Sequence, residues 1–117
     1  MNSKAPIWVL DEITVRPGKG PAFLADYLEH YVPLVRRCGL TLAHRLVEPA
    51  MWLDDEPNRM LFLWSAPDPE TIWRAKHTLR QDPEVLAWWQ VQAPPMIECR
   101  RRATLAEAGA LGVFADV

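Results

Sequence analysis

Two neighbouring carboxylates, Asp11 and Glu12, interrupt an otherwise apolar run, Ile7-Trp8-Val9-Leu10-Asp11-Glu12-Ile13-Thr14-Val15. On a strand adjacent side chains point to opposite faces, so one carboxylate faces each side of the sheet. A buried carboxylate either finds an arginine or amide partner or has its pKa raised into the range useful for proton transfer. Arg45 and the run Arg100-Arg101-Arg102 supply partners for the first of these readings. His30 is the complementary group. It stands in a helical column with Phe23, Tyr27 and Leu34, and Pro33 removes the N–H that would bond the carbonyl of Glu29. Beside this opened turn, His30 is either an acid–base or substrate-anchoring group or a solvated edge residue. Asp11 and His30 are therefore the candidate catalytic pair, and the chemistry they point to is general acid–base catalysis.

Candidate substrate contacts surround that pair. Tyr27, Tyr31, Trp64, Trp73 and Trp88, with His77 one turn after Trp73, can line a pocket for a flat apolar ligand, and core filling gives the same spacing. His44 shares a strand face with Leu40, Leu42 and Leu46, so it is either a hydrogen-bonded interface histidine, the favoured reading, or a pocket base. The three histidines fall in three different elements, so no pair has metal-ligand spacing, and neither a metal nor haem nor another cofactor is expected. Cys38 and Cys99 belong to no Cys-x-x-Cys or zinc-spaced cluster and read as reduced thiols. Gly-rich phosphate loops, nucleophile elbows and His-Glu metal patterns do not occur, which leaves phosphoryl transfer, acyl-enzyme hydrolysis and metalloprotease chemistry without support. A net charge of -2 leaves no electrostatic footprint for nucleic acid or an anionic membrane. Met1 to Pro6 leads into the first strand without an apolar secretory segment, and no run approaches membrane-spanning length, so a soluble cytoplasmic protein is expected.

The elements that position these residues can be read from period and punctuation. Ile7 to Val15 is a strand, and Arg16-Pro17-Gly18-Lys19-Gly20-Pro21 is the corner that ends it. Phe23, Leu24, Tyr27, Leu28, Tyr31, Leu34, Val35 and Cys38 then form the stripe of a helix that stops at Gly39. Leu40 to Val47 is a second strand, with Leu40, Leu42, His44 and Leu46 on one face and Thr41, Ala43, Arg45 and Val47 on the other. After an acidic loop in which Met51 and Trp52 need something to pack on, Arg59 to Ser65 is a third strand, apolar on both faces. Asp68 caps a second helix with Pro69 and Glu70 in its first turn, and the Asp82-Pro83 break starts a shorter one that ends at Pro94-Pro95. The last strand, Met96 to Ala103, carries Glu98, Arg100, Arg101 and Arg102 as an edge strand does. One domain over residues 1–103, followed by an Ala- and Gly-rich tail over 104–117, is the expected organisation.

The order β-α-β-β-α-β folds into a four-stranded antiparallel sheet with both helices on one face, an α+β ferredoxin-like arrangement. Because strands one and three are apolar on both sides, the second face needs cover, and a second copy of the chain is the expected partner.

Four stretches carry a resemblance to a known family. Ile13-Thr14-Val15-Arg16-Pro17-Gly18-Lys19, Glu29-His30-Tyr31-Val32-Pro33-Leu34-Val35-Arg36-Arg37, and Leu63-Trp64 with the later Asp82-Pro83-Glu84 break resemble a NIPSNAP-type protein of the dimeric α+β barrel superfamily. The resemblance covers Ile7 to Ala103 and implies a ferredoxin-like subunit whose sheet packs on its twin to close a barrel, with a ligand pocket between sheet and helices. The wider superfamily includes haem-degrading and cofactor-free monooxygenases, polyketide cyclases and muconolactone isomerases. Alignment with the haem-degrading enzymes places Asp11, Trp73 and Trp88 at their strand-one asparagine, helix-two tryptophan and haem-ligating histidine. The axial imidazole is thus replaced by an indole, which cannot serve. The cyclases' histidine after the second helix corresponds to Val85. The functional expectation is a cofactor-free enzyme acting by acid–base chemistry on an apolar, aromatic or polyketide-like substrate, as cyclase, isomerase or oxygenase. Its alternative is a non-catalytic ligand-binding or protein-interaction barrel.

Overall fold

The computed structural model describes residues 6–115; Met1 to Ala5 at the N-terminal lead and the last two residues of the tail lie outside it. Strand β1 (Ile7–Val15) is followed by α1 (Gly20–Asp26), a π-helical turn π1 (Tyr27–Tyr31) and α2 (Val32–Arg36). Strands β2 (Thr41–Glu48) and β3 (Asn58–Ala66) come next, then α3 (Pro69–Gln81), α4 (Pro83–Ala87) and a second π-helical turn π2 (Trp88–Gln92). A short 3-10 turn (Pro94–Met96) leads into β4 (Ile97–Ala106), and α5 (Ala108–Ala115) comes last. The last strand therefore runs three residues past the Ala103 boundary expected for it.

All pairings are antiparallel and the sheet order is β2-β3-β1-β4, so the two apolar strands are central. The sheet is open and four-stranded, with helices on one face, which is the ferredoxin-like arrangement. Period-two alternation turns Val9, Asp11, Ile13 and Val15 of β1, and Asn58, Met60, Phe62 and Trp64 of β3, toward the helices, and all eight are buried. Trp8, Leu10 and Glu12, with Leu61 and Leu63 opposite them, occupy the other face.

Local chemistry sets the element ends. Gly39 has φ of 98°, a left-handed conformation that glycine adopts without a Cβ penalty, and it stops the first helical segment. Asp68 accepts from the backbone N–H of Thr71 at 2.8 Å, so the expected N-cap is formed, and Asp82, at the expected break, caps the next helix by accepting from the N–H of Glu84 at 2.8 Å. Trp52 packs against Gly20, where an added Cβ would come within 2.4 Å of the indole ring, and so finds its contact; Met51 stays exposed.

One face assignment requires correction. The β2–β3 register shifts between Leu42 and His44. Leu42, Arg45 and Val47 pair with Trp64, Phe62 and Met60 on the helix side, while His44 and Leu46 pair with Leu63 and Leu61 on the open face. The extra residue, Ala43, breaks strict alternation, so His44 does not share a face with Leu42.

Candidate functional site

The two π-turns arise in the same way. The N–H of Val32 bonds the carbonyl of Tyr27, and that of Ala93 bonds the carbonyl of Trp88 at 2.9 Å, each spanning five residues. Each donor immediately precedes a proline, Pro33 or Pro94, whose ring has no N–H to continue the α-helical ladder. The inserted residue in π1 rotates the downstream segment by about 100° relative to an unbroken helix. Tyr27 and Tyr31 both enter the core, and His30 is turned outward.

The inward tyrosines meet the sheet in a buried hydrogen-bond chain. Trp64 Nε1 donates to the Tyr27 hydroxyl at 3.0 Å, which donates to Asp11 Oδ2 at 3.2 Å. Arg100 closes on the same carboxylate, Nε to Oδ1 at 2.8 Å and Nη2 to Oδ2 at 3.3 Å. Arg102 Nη2 lies 3.7 Å from Asp11 Oδ2 and donates to the Tyr31 hydroxyl at 2.6 Å. Burial, and then the neighbouring Asp11 carboxylate, hold the Tyr27 phenol well above its ordinary pKa, so it stays a donor. Burial works against the charge on Arg102, yet Tyr31 and Asp11 outweigh it and its pKa is raised. Asp11, fully buried, thus has both oxygens engaged and serves as the counter-ion of two guanidiniums. Glu12, on the open face, pairs with Arg101 at 2.8 Å and Arg59 at 3.0 Å.

Above this chain lies an aromatic cluster. Tyr27 stacks on Phe62 with centroids 3.9 Å apart, Tyr31 stacks on Trp88 at 5.6 Å, and Trp88 meets Trp89 edge-on at 4.7 Å. The Arg100 guanidinium sits 3.4 Å from the centre of the Trp89 ring. A cleft of about 360 Å³ opens between β4 and the α3–α4 segment, walled by Leu79, Val85, Leu86 and Trp89 and by Tyr31 and Arg102. A recess of about 20 Å³ continues inward from it toward Val9 and Trp64.

The expected site residues divide into two groups. Asp11, Tyr27, Tyr31, Trp64 and Trp88 come together, although only Tyr31 and Trp64 reach these cavities and the others lie beneath them. His30, Trp73 and His77 are on the solvent side. His30 bonds Asp26 through Nδ1 and lies 3.4 Å from Glu29 through Nε2, on neither cavity, so it does not face Asp11. The hydrogen bond to Asp26 is the main cause of its raised pKa. For a histidine raised in the folded state, the associated stabilisation is complete below the ordinary imidazole value and is lost as pH rises through the raised one. Trp73 is 65% exposed, with Lys76 Nζ 5.1 Å from its ring. The residues that sequence reasoning left out of the site are Lys76, Leu79, Arg80, Val85, Leu86, Arg100 and Arg102. Alternation along β4 was the available signal, since it separates Arg100 and Arg102 from Arg101.

No group of three histidine, cysteine, aspartate or glutamate side chains among the described residues is placed to hold a metal ion. Cys38 and Cys99 are free thiols, and no helix among the described residues is long and apolar enough to cross a membrane.

No protein-family model and no curated protein matches this chain. Solved structures do. A NIPSNAP domain protein from Burkholderia xenovorans superposes with a TM-score of 0.69 and 19% identity, over 87% of this chain and 94% of that one. A NIPSNAP family protein with unknown function from Agrobacterium tumefaciens gives 0.69 and 12%, over 89% of each. This chain shares the fold of these NIPSNAP proteins. A NIPSNAP-like domain protein, also from Burkholderia xenovorans, agrees at a TM-score of 0.70 and 16% identity, over 88% of this chain and 85% of that one. At such identities the NIPSNAP likeness is one of architecture, and the cleft must be read from this chain's own side chains.

Proposed function

We propose that this chain is a NIPSNAP-type binding protein that takes a small apolar or aromatic molecule in the cleft between its sheet and its helices. The observation that carries the proposal is the cleft itself, a concave site of about 360 Å³ with apolar and aromatic walls and a few convergent polar groups, the usual form of a small-molecule site. The acid–base enzyme reading needs Asp11 and His30 on one cavity. Asp11 is held by arginines and His30 is in solvent on another surface, so binding without catalysis has the better support. No cofactor is assigned to it.

In the same proposal the protein is a homodimer. Trp8, Leu10, Leu61 and Leu63 lie on the open face, flanked by Leu46 and Leu105, which are 55% and 40% exposed. A second copy packed there covers this apolar surface and closes the two sheets into a barrel. Free cysteines suit a reducing, cytoplasmic setting, and neither nucleic acid nor a membrane is among the partners we assign.

The test is a titration of 15N-labelled protein with 2-naphthalenemethanol, a neutral aromatic probe, following the six indole N–H resonances. Saturable shifts concentrated at Trp89, with Trp73 and Trp52 unmoved, are expected. Absence of saturable shifts, or shifts of Trp73 alone, would refute the site.

A further inference from the structure

We infer that the ligand of this cleft is an organic carboxylate, its charged end at Arg102 and Tyr31 and its apolar body against α4 and Trp89; this rests on the small-molecule reading above. The polar lining is one-sided. Lys76, Arg80, Arg100 and Arg102 line the cleft and, among the described residues, no carboxylate does. The buried Asp11 behind them is a single negative charge, and it is already bonded twice by Arg100 and once by Tyr27. Arg100 is thereby accounted for, paired with Asp11 and covered by the Trp89 ring. Arg102 is held less closely. Its nearest approach to Asp11 is 3.7 Å, its one side-chain hydrogen bond among the described residues goes to the Tyr31 hydroxyl, and its side chain is 35% exposed.

The other donors at this end are only partly satisfied among the described residues. The Tyr31 hydroxyl accepts from Arg102, and its own proton reaches no acceptor there. Trp89 Nε1–H is buried without a hydrogen-bond partner among the described residues. Arg80, at the rim, makes no ion pair among the described residues, while Lys76 donates only to the Thr104 hydroxyl at 2.9 Å. Guanidinium and phenol donors side by side match the two oxygens of a carboxylate, and donors with no acceptor opposite them discriminate against cations. Leu79, Val85 and Leu86 complete the wall, so a bare inorganic anion would leave apolar surface uncovered and an organic one would not.

The experiment compares 2-naphthoate with 2-naphthalenemethanol, which share an aromatic body and differ in charge, by the same indole titration at low salt. Wild-type protein should bind the carboxylate about tenfold tighter, the equivalent of one charge-assisted hydrogen bond. Arg102→Met should remove the preference. Because that change also disturbs Asp11, the exposed-rim double variant Lys76→Gln/Arg80→Gln is measured in parallel and should reduce the preference about threefold. Equal binding of the two probes by the wild type would overturn the carboxylate assignment and leave the binding reading intact. A preference unchanged in both variants would overturn it as well, by placing the anion elsewhere. If neither probe binds, the small-molecule reading itself fails.

Discussion

Asp11→Ala should destabilise the protein by about 3–5 kcal/mol, the range for removing one member of a buried ion pair. The loss is large because one carboxylate holds three partners, and its removal leaves the guanidiniums of Arg100 and Arg102 and the hydroxyl of Tyr27 facing each other under the aromatic cluster. Against a typical total stability of about 5–15 kcal/mol, much of the margin disappears. Asp11→Asn keeps the shape and an acceptor for Tyr27, and its smaller loss isolates the charge. Glu12→Ala is the internal control. Glu12 pairs with arginines whose side chains are 48% and 71% exposed, so in the monomer it should cost no more than about 1 kcal/mol. Urea unfolding of the three variants checks this, and equal midpoints for the Asp11→Ala and Glu12→Ala proteins would show that the buried network does not hold the core together.

Leu63→Asp has the second large effect, on assembly. Leu63 lies on the open face opposite Leu10 and His44, in the middle of the central strand pair. In the proposed dimer a carboxylate placed there is taken out of water, so the dimer should weaken by at least about 3 kcal/mol, more than a hundredfold in Kd. Light scattering should show a wild-type dimer and a Leu63→Asp monomer, with the dimer unchanged by Arg36→Glu on the exposed end of α2. A wild-type protein that remains a stable, non-aggregating monomer at micromolar concentration would remove the barrel.

The two variants probe opposite faces of one strand pair, and those faces were not equally legible in the sequence. β1 could be bounded from its β-branched and aromatic run and the Pro-Gly corner, the N-cap from Asp68 and the start of the next helix from the Asp82-Pro83 break, because each rests on chemistry local to a few residues. Pro33 likewise announced an opened turn. The same Ala93-Pro94 arrangement stood in the sequence and carried the second π-turn, which sets Trp88 in the core and Trp89 on the cleft. What periodicity could not see was insertion. One extra residue in β2 moved His44 to the open face, since a single added residue changes the face of everything beyond it, whereas in the first helical segment Tyr31 kept its place on the inward stripe and His30 turned out to solvent. The cleft's cations were hidden for another reason. Arg100 and Arg102 read as edge-strand charges and as possible partners of a strand carboxylate, and it is the β1–β4 register, which places them opposite Ile13 and Asp11 on the helix side, that assigns them to the cleft.

Binding in the space between β4 and the α3–α4 segment is tested most directly by a crystal structure of the protein grown with 2-naphthalenemethanol, because a neutral probe tests the cleft without relying on its charges. Density for the naphthalene ring against Leu79, Val85 and Trp89, with Tyr31 at its inner end, is the predicted result. A cleft closed over by the Trp89 and Leu86 side chains, with the probe absent or bound only on the open sheet face, would contradict it.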